Sequence, residues 1–341
     1  MTDDPAARPR RGSAATIYDV AELAGVSAST VSRALSKPGR ISASTEQRIR
    51  AAAEQLNFRV NPIARALHTG RSSTLALVVA DITNPVIFGI VRGAEQAASA
   101  AGYTLVIAES QESDATEAEA IERLMPSVDG MILATSRLAD DRIVDIASRK
   151  AAVLINRAVD GIDSVLLDVD EGVQQLISHL SDLGHRSIAY LSGPDRSWIS
   201  ERRWDGLLGA AEERGMALVE IGPNAPTILG GREALRRVRA ARARAVVAFN
   251  DLIAIGLMQA AAEQGLEVPT DLSVAGFDDI FGSELIVPPL TTVRAPLVSA
   301  GERAVQILLH RLGAAAPPLD SGLLDTRLIV RGSTGQAPPP S

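Results

Sequence analysis

The 341-residue sequence contains no cysteine, which excludes disulfides, thiolate catalysis and cysteine-ligated metal sites. It also lacks any run of about 18 apolar residues, so we expect no membrane-spanning helix. Its first residues, MTDDPAARPRRGSAA, lack the apolar centre of a secretory signal, and residues 1–14 are expected to form a disordered arm. These absences fit a protein of the reducing cytoplasm.

Sequence motifs of common enzyme classes are also missing. There is no G-x-G-x-x-G after a strand, no Walker-type phosphate loop, no G-x-S-x-G and no H-E-x-x-H. The four histidines show no metal-ligand spacing, and LGHRSIAYLSG around His185 favours a structural turn over a catalytic site. We therefore expect no catalysis, no metal and no cofactor.

The most informative segment is TIYDVAELAGVSASTVSRAL, residues 16–35, which predicts two short helices joined by a tight turn. Thr16 can cap the first helix with Asp19 as its capping-box partner, and Ser27 can cap the second. Gly25 suits the left-handed backbone of the turn. The second helix is expected to carry small, hydroxyl and basic residues on its outer side: Ala28, Ser29, Ser32 and Arg33. Small residues permit close approach to a major groove, and arginine can pair with guanine.

An ordinary helical hairpin inside a larger core would give a similar pattern, but two neighbouring features favour DNA binding. The segment ISASTEQRIRAAAEQLNF (41–58) predicts a third amphipathic helix capped by Ser42, and a basic segment follows it. Residues 1–71 contain 11 Lys/Arg and 6 Asp/Glu, so the rest of this net −7 chain carries −12. A basic module attached to an acidic one is expected when one end alone touches phosphate.

From Thr74 onward, apolar strand-like runs alternate with amphipathic helical segments. The predicted strands are Thr74–Ala80, Tyr103–Ala108, Gly130–Ala134, Ala152–Asn156, Ser187–Ser192, Ala217–Ile221, Ala245–Phe249 and Leu272–Phe277. Continuous apolar strands separated by helices predict parallel sheets covered on both faces. A break around residues 160–168 divides the strands into two similar α/β subdomains. Such a pair places a ligand in the cleft between them, beyond the strand carboxyl ends.

Polar residues at those strand ends are candidates for binding a ligand rich in hydroxyls. They are Asp81, Arg157, Arg203, Asn250 and Asp278. A carboxylate accepts hydrogen bonds, a guanidinium donates them in a fork, and an amide does both. Helix capping is the alternative role for an Asp or Asn after a strand, and we favour it for Asp251 and Asp279.

The segment from Thr16 to Ser72 resembles, without a gap, the headpiece of the LacI/GalR family of bacterial transcriptional regulators. The family's Y-D-V-A-x-x-A-G-V-S-x-x-T-V-S-R is intact from Tyr18 to Arg33. Its N-x-x-A-x-x-L hinge is present as Asn61, Ala64 and Leu67, and the resemblance continues to about Val330.

The resemblance implies an all-α helix-turn-helix headpiece followed by an α/β periplasmic-binding-protein-like core of two parallel-sheet subdomains. In such a core the chain crosses three times between the subdomains. The implied division is a helix-turn-helix domain (15–60), a hinge helix or linker (61–72), a core (73–330) and a flexible tail (331–341). Within the core, the first subdomain would comprise about 73–160 and 290–315, and the second about 161–289 and 316–330.

The resemblance also implies a homodimer on a near-palindromic operator in double-stranded DNA. The hinge would enter the minor groove, where Leu67 wedges between base pairs. The residues implied in DNA binding are Thr16, Tyr18, Ser27, Ala28, Ser29, Thr30, Ser32, Arg33, Arg40, Thr45, Asn61, Ala64 and Leu67.

In the core, the family counterparts of Arg203, Asn250 and Asp278 contact a small-molecule effector. The family's N-P-F-F segment is here Asn84-Pro85-Val86-Ile87, so Ile87 would replace an aromatic wall. Trp198 either replaces the missing ring or serves as a lid or surface residue.

These features predict an effector-controlled DNA-binding repressor, with a sugar or polyol as the effector. Two other classes remain as alternatives: a solute-binding protein of a transporter, and an enzyme. A regulator with a non-sugar effector, acting as co-repressor or activator, is a further alternative. Without apolar heptads after Val330, we expect no coiled-coil tetramerisation element.

Overall fold

The computed structural model describes residues 15–36, 40–58, 71–314 and 323–337. The chain forms two compact units, residues 1–72 and 73–341. Within the described residues, no helix has the length and apolar character needed to cross a membrane.

The first unit contains three helices, α1 (Ile17–Ala24), α2 (Ala28–Ser36) and α3 (Ala43–Gln55). The predicted caps are confirmed. Thr16 and Asp19 form a capping box, Gly25 ends α1 in the left-handed conformation at φ 63°, and Ser42 caps α3. The three helices enclose a small apolar core, whose fully buried members are Val20, Val31 and Ile49. Local signals fixed these helices because each cap satisfies backbone groups within its own turn.

The second unit is an α/β core with two main sheets, which confirms the predicted fold class. The first sheet has the order β2-β1-β3-β4-β5, and all of its strands are parallel. Its strands are β1 (Thr74–Val79), β2 (Thr104–Glu109), β3 (Gly130–Ala134), β4 (Ala151–Ile155) and β5 (Ser164–Val165). Strands β1 and β3 are buried throughout except at Thr74, which explains their continuous apolar sequences.

The second sheet has the order β13-β11-β10-β9-β7-β8. Its strands are β7 (Ser187–Leu191), β8 (Ala217–Ile221), β9 (Ala245–Ala248), β10 (Ser273–Asp278), β11 (Thr291–Arg294) and β13 (Arg327–Ile329). All neighbours are parallel except β11 and β13, which pair antiparallel at one edge. Two short strands, β6 (Leu167–Asp168) and β12 (Leu324–Asp325), pair in parallel and form a separate two-stranded sheet.

Helices follow most of the strands and supply the covering layers of both sheets. They are α4 (Val86–Ala100), α5 (Asp114–Leu124), α6 (Asp140–Arg149), α7 (Val169–Asp182), α8 (Trp198–Glu213), α9 (Ile228–Ala240), α10 (Asp251–Glu263) and α11 (Leu297–Arg311). A one-turn 3₁₀ helix spans Met125–Ser127. Parallel strands alternating with helices bring the strand carboxyl ends to one edge of each sheet, where a ligand cleft can form.

The predicted subdomain boundaries are wrong at two crossings. Strand β5 still belongs to the first sheet, so the first crossing comes after Val165 rather than at residue 161. Strand β11 pairs with β10, so the chain returns to the first subdomain after Arg294 rather than at residue 290. Both errors have one cause: strand partners are chosen by long-range hydrogen bonding, which a local apolar pattern does not record.

The prediction of a flexible tail from residue 331 is wrong for Arg331–Ala337. The Ser333 hydroxyl donates to the Val274 carbonyl at 2.6 Å and accepts from the Thr291 amide at 2.8 Å. His185 Nε2 lies 3.1 Å from the Gly335 carbonyl, which gives this histidine the structural role that the sequence favoured. Residues 338–341 lie outside the described part of the chain.

The carboxylate of Asp251, the first residue of α10, joins three parts of the second subdomain. Its Oδ2 accepts from the Ser283 hydroxyl at 2.5 Å and from the Ile280 amide at 3.0 Å, and its Oδ1 accepts from the Thr292 hydroxyl at 2.6 Å. The expected capping role is therefore wrong, because Asn250 caps α10 instead. Burial raises the pKa of Asp251 to about 7, with the nearby charge of Asp278 adding to the rise and the three hydrogen bonds opposing it.

We predict that Asp251→Asn makes the stability of the core less dependent on pH. Because the folded pKa exceeds the unfolded value of 3.8, the folded state holds the extra proton and loses stability as pH rises from about 4 to about 7. The full difference is about 4 kcal/mol. Denaturant unfolding at pH values across this window should show the variant gaining stability relative to the native chain as pH rises.

Asp205→Asn, an exposed change on α8, serves as the matched control and should keep the native pH dependence. A difference between Asp251→Asn and the native chain that stays constant with pH would contradict this role for Asp251.

Candidate functional sites

The start of α2 presents a group of exposed hydroxyls. Ser27 Oγ accepts from the Thr30 amide at 3.2 Å and lies 2.9 Å from Ser29 Oγ and 2.8 Å from Thr30 Oγ1. Ser29, Ser32 and Arg33 are exposed, whereas Ala28 is half-buried against the headpiece core. The exposed face of α2 carries small side chains at its start and Arg33 toward its end, which suits insertion into a groove of a polyanion.

Other predicted DNA-binding residues surround this helix. Tyr18 is 74% exposed, so its phenol ring is accessible to a partner. Thr16 and Arg40 are exposed, and Thr45 is half-buried beside the Ser42 cap. The predicted hinge residues Asn61, Ala64 and Leu67 lie outside the described residues.

In the core, one cavity of about 50 Å³ lies where the carboxyl ends of both sheets meet. It brings together five of the seven predicted effector residues: Asp81, Ile87, Arg203, Asn250 and Asp278. The others lining it are Ala80, Asn84, Val86, Glu112, Thr135, Arg137, Asn156, Ile199, Pro226 and Phe249. Both subdomains therefore contribute to a single site.

Arg203 and Asp278 form the centre of the site on the second subdomain. Arg203 NH2 donates to Asp278 Oδ1 at 2.9 Å, with the side chains 6% and 8% exposed, and Arg203 NH1 donates to the Phe249 carbonyl. The guanidinium also lies 5.0 Å from the Phe249 ring centre and 4.3 Å from that of Phe277. Burial raises the pKa of Asp278, and the charge of Arg203 opposes that rise. A buried guanidinium is costly without a counter-charge, so each member of the pair depends on the other.

Asn250 and Asp279 are both candidates for helix capping, and the structure gives them different roles. Asn250 caps α10, since its Oδ1 accepts from the Ile253 amide at 2.9 Å while its Nδ2 donates to the Pro226 carbonyl at 3.1 Å. Asp279, expected to cap a helix, instead accepts from Arg294 and Arg331 and does not line the cavity. Asp278 and Asp279 both have positive φ, at 103° and 55°, and their carboxylates bind different arginines.

Two predicted residues do not line the cavity. Arg157 donates to Asp140 Oδ1 at 2.5 Å and to the Leu138 carbonyl at 3.3 Å. Trp198, the first residue of α8, is half-buried against the core of the second subdomain, so no aromatic ring replaces the altered wall at Ile87 from this position.

Sequence reasoning missed the contribution of β2, β3 and the first residue after β4. Asn156 directly follows β4 and lines the cavity, where its buried Oδ1 has no hydrogen-bond partner. Glu112 and Arg137 line it from the loops after β2 and β3. The rule that ligands bind beyond strand carboxyl ends would have found them, had it been applied to those strands as well. Groups of three or more residues able to hold a metal ion do not occur in the described ranges.

Residues 16–61 match the family of bacterial regulatory proteins named lacI, and residues 177–334 match the periplasmic binding protein-like domain. The chain is 31% identical to the HTH-type transcriptional repressor CytR of Escherichia coli over 96% of this chain and 99% of that protein. Among solved structures, it resembles the lac repressor dimer bound to operator and the anti-inducer ONPF, with a TM-score of 0.82, 27% identity and coverage of 95% of this chain and 100% of that one. It also resembles a LacI family regulator from Enterococcus faecium with bound ribose, with a TM-score of 0.69, 27% identity and coverage of 78% and 100%.

These matches extend over the headpiece and the core, and they agree with the helix-turn-helix unit and the two-sheet core described above. The chain belongs to the lacI family of bacterial regulatory proteins, and is a DNA-binding transcriptional regulator under small-molecule control.

Proposed function

We propose that this regulator is a repressor whose dimer binds a near-palindromic operator through the outer face of α2, and whose effector is a sugar or polyol bound in the cavity between the core subdomains. It acts by binding rather than by catalysis, in the cytoplasm. The observation that carries the proposal is the convergence of Asp81, Arg203, Asn250 and Asp278 from both subdomains on one cavity.

The DNA-reading half of the proposal assigns bases to Ala28, Ser29 and Arg33, and phosphates to Thr16, Tyr18, Ser27, Thr30, Ser32, Arg40 and Thr45. Support comes from the exposure of Ser29 and Arg33 on one side of α2. By the family pattern, Asn61 would contact a phosphate, and the hinge that contains Ala64 and Leu67 would enter the minor groove.

The effector half assigns the ligand's hydroxyls to Asp81, Arg203, Asn250 and Asp278, with Ile87 as an apolar wall. The bound ribose of the Enterococcus faecium relative supports a sugar. The cavity holds about 50 Å³, far below the roughly 300 Å³ of the smallest common ligand pockets. An exposed ion pair, Arg196 with Asp114 at 3.2 Å, also joins the two subdomains. The subdomains must therefore separate to admit an effector, and ligand binding is coupled to their relative pose.

We predict that Arg33→Ala weakens binding to an operator selected from a random duplex pool about tenfold to a hundredfold, and relaxes sequence preference at one base pair in each half-site. The reason is loss of a side chain that can pair with a guanine edge, worth about 1–3 kcal/mol. Repeating the selection with the variant measures both effects.

Arg48→Ala on α3 removes the same charge from an exposed position and is the control. It should leave the selected sequence unchanged. Identical selected sequences for Arg33→Ala and the native chain would rule out base reading by Arg33.

We predict that Asp278→Asn weakens effector binding about tenfold to a hundredfold, because a hydrogen bond to a charged group contributes about 1.5–3 kcal/mol. Asparagine preserves the shape of the side chain but removes the counter-charge of Arg203. A thermal-shift screen of sugars, polyols and nucleosides would first identify a stabilising ligand. Operator affinity without ligand should stay within about twofold of the native value, because Asp278 belongs to the core unit and the DNA-reading residues belong to the headpiece unit.

Asp279→Asn is the adjacent control, since Asp279 pairs with Arg294 and Arg331 and does not line the cavity. If ligand stabilisation survives Asp278→Asn undiminished, the effector binds elsewhere.

A further inference from the structure

The wall of the cavity on the first subdomain carries a second arginine–carboxylate pair. Arg137 NH2 lies 2.7 Å from Glu112 Oε2, and Arg137 Nε donates to the same oxygen at 2.8 Å. Arg137 NH1 donates to the Thr135 carbonyl at 3.2 Å, and the backbone amide of Arg137 donates to the buried carboxylate of Glu117 at 2.8 Å. The Arg137 side chain is 8% exposed, so this pair is built into the wall.

The loops that carry this pair have unusual backbone conformations. Gln111, Glu112, Thr135 and Asn156 all have φ between 53° and 58°, in the left-handed region that non-glycine residues rarely adopt. They follow β2, β3 and β4, and three of them line the cavity. Strained residues that cluster at a cavity persist where the surrounding structure and a function hold them.

Each of the two arginines that line the cavity is paired with a carboxylate. Among the described residues, its charged lining consists of Asp81, Glu112, Asp278, Arg137 and Arg203. Arg137 pairs with Glu112 and Arg203 pairs with Asp278, so Asp81 leaves an excess of one negative charge. A phosphate or carboxylate entering this cavity would meet net repulsion and would have to displace a carboxylate from an arginine.

The lining nevertheless has hydrogen-bonding capacity for a neutral partner. Asn156 Oδ1 and Arg203 Nε are buried without hydrogen-bond partners. One is an acceptor and the other a donor, and a hydroxyl group can satisfy both types. Buried polar atoms left unpaired are costly, so a ligand that pairs them gains affinity.

We propose that Arg137 and Glu112 form a specificity-determining pair which, opposite Arg203 and Asp278, restricts this cavity to an uncharged polyhydroxylated effector and rejects phosphorylated and carboxylated ones. The proposal rests on the effector site given under Proposed function. Glu112 is the selective element: by neutralising Arg137 it denies an anion its counter-charge.

The test replaces Glu112 by Gln, which keeps a hydrogen-bond acceptor for Arg137 and removes the carboxylate. Glu112 is 25% exposed, and the Gln side chain keeps an oxygen that can accept hydrogen bonds from the buried Arg137. Thermal shift and calorimetry at neutral pH would compare glucose, galactose, ribose, cellobiose and cytidine with their phosphate monoesters and with inorganic phosphate. Glu109→Gln is the matched control, because Glu109 ends β2, accepts from the Ile82 amide and does not line the cavity.

We expect the native chain and Glu109→Gln to show no stabilisation by phosphate or the phosphate monoesters. Glu112→Gln should bind at least one of these anions at least about tenfold more tightly than the native chain, from release of the Arg137 charge. A purely structural role for the pair would lower the melting temperature without changing the preference for ligand charge. The proposal is overturned if the native chain binds a phosphate monoester as tightly as the neutral parent, or if Glu112→Gln gains no anion affinity. Failure of DNA binding to respond to any ligand would instead count against the proposed function, because the anion comparison uses no DNA.

Discussion

The buried ion pair between Arg203 and Asp278 is the contact on which the core site depends. The guanidinium also donates to the Phe249 carbonyl at the end of β9 and lies against the rings of Phe249 and Phe277. It therefore ties α8 to the ends of β9 and β10. Because removing one partner of a buried pair leaves an uncompensated charge, the chain is committed to keeping both. Asp251 accepts two hydrogen bonds from the segment after β10, at Ile280 and Ser283, and a third from Thr292 in β11. It therefore holds the segment after β10 against the neighbouring strand.

The lining of the cavity is divided between the two core subdomains, which explains how a ligand bound there can control DNA binding. Arg203, Asn250 and Asp278 belong to the second subdomain, whereas Asp81, Glu112, Arg137 and Asn156 belong to the first. A ligand that contacts both favours one relative pose, and it can change DNA affinity only by its different affinities for the two poses. Each arginine–carboxylate pair lies within one subdomain. Contacts that connect the two subdomains would therefore come from the hydroxyl groups of the ligand.

Local features of the sequence were sufficient for the headpiece and for eight of the strands. Caps at Thr16, Ser27 and Ser42 act within one helical turn, so the residues that determine them are adjacent. The pairings of β5 and β11, and the docking of Arg331–Ala337, involve partners far away in sequence, and apolar pattern alone misassigned them. In the site, the strand-end rule located Asp81, Asn250 and Asp278, whereas Arg203 lies within α8 and was favoured by the family resemblance. The rule could not separate Asn156 from Arg157, since side-chain direction depends on the left-handed backbone at Asn156.

The most direct test of the account is thermodynamic reciprocity between the cavity and the DNA. Operator affinity of the full chain should be measured with and without a ligand that stabilises the core, and ligand affinity with and without saturating operator. Coupled sites predict that both affinities change by the same factor, typically about 5- to 150-fold. Ligand and operator affinities that are each unaffected by the other would contradict control of DNA binding from the cavity.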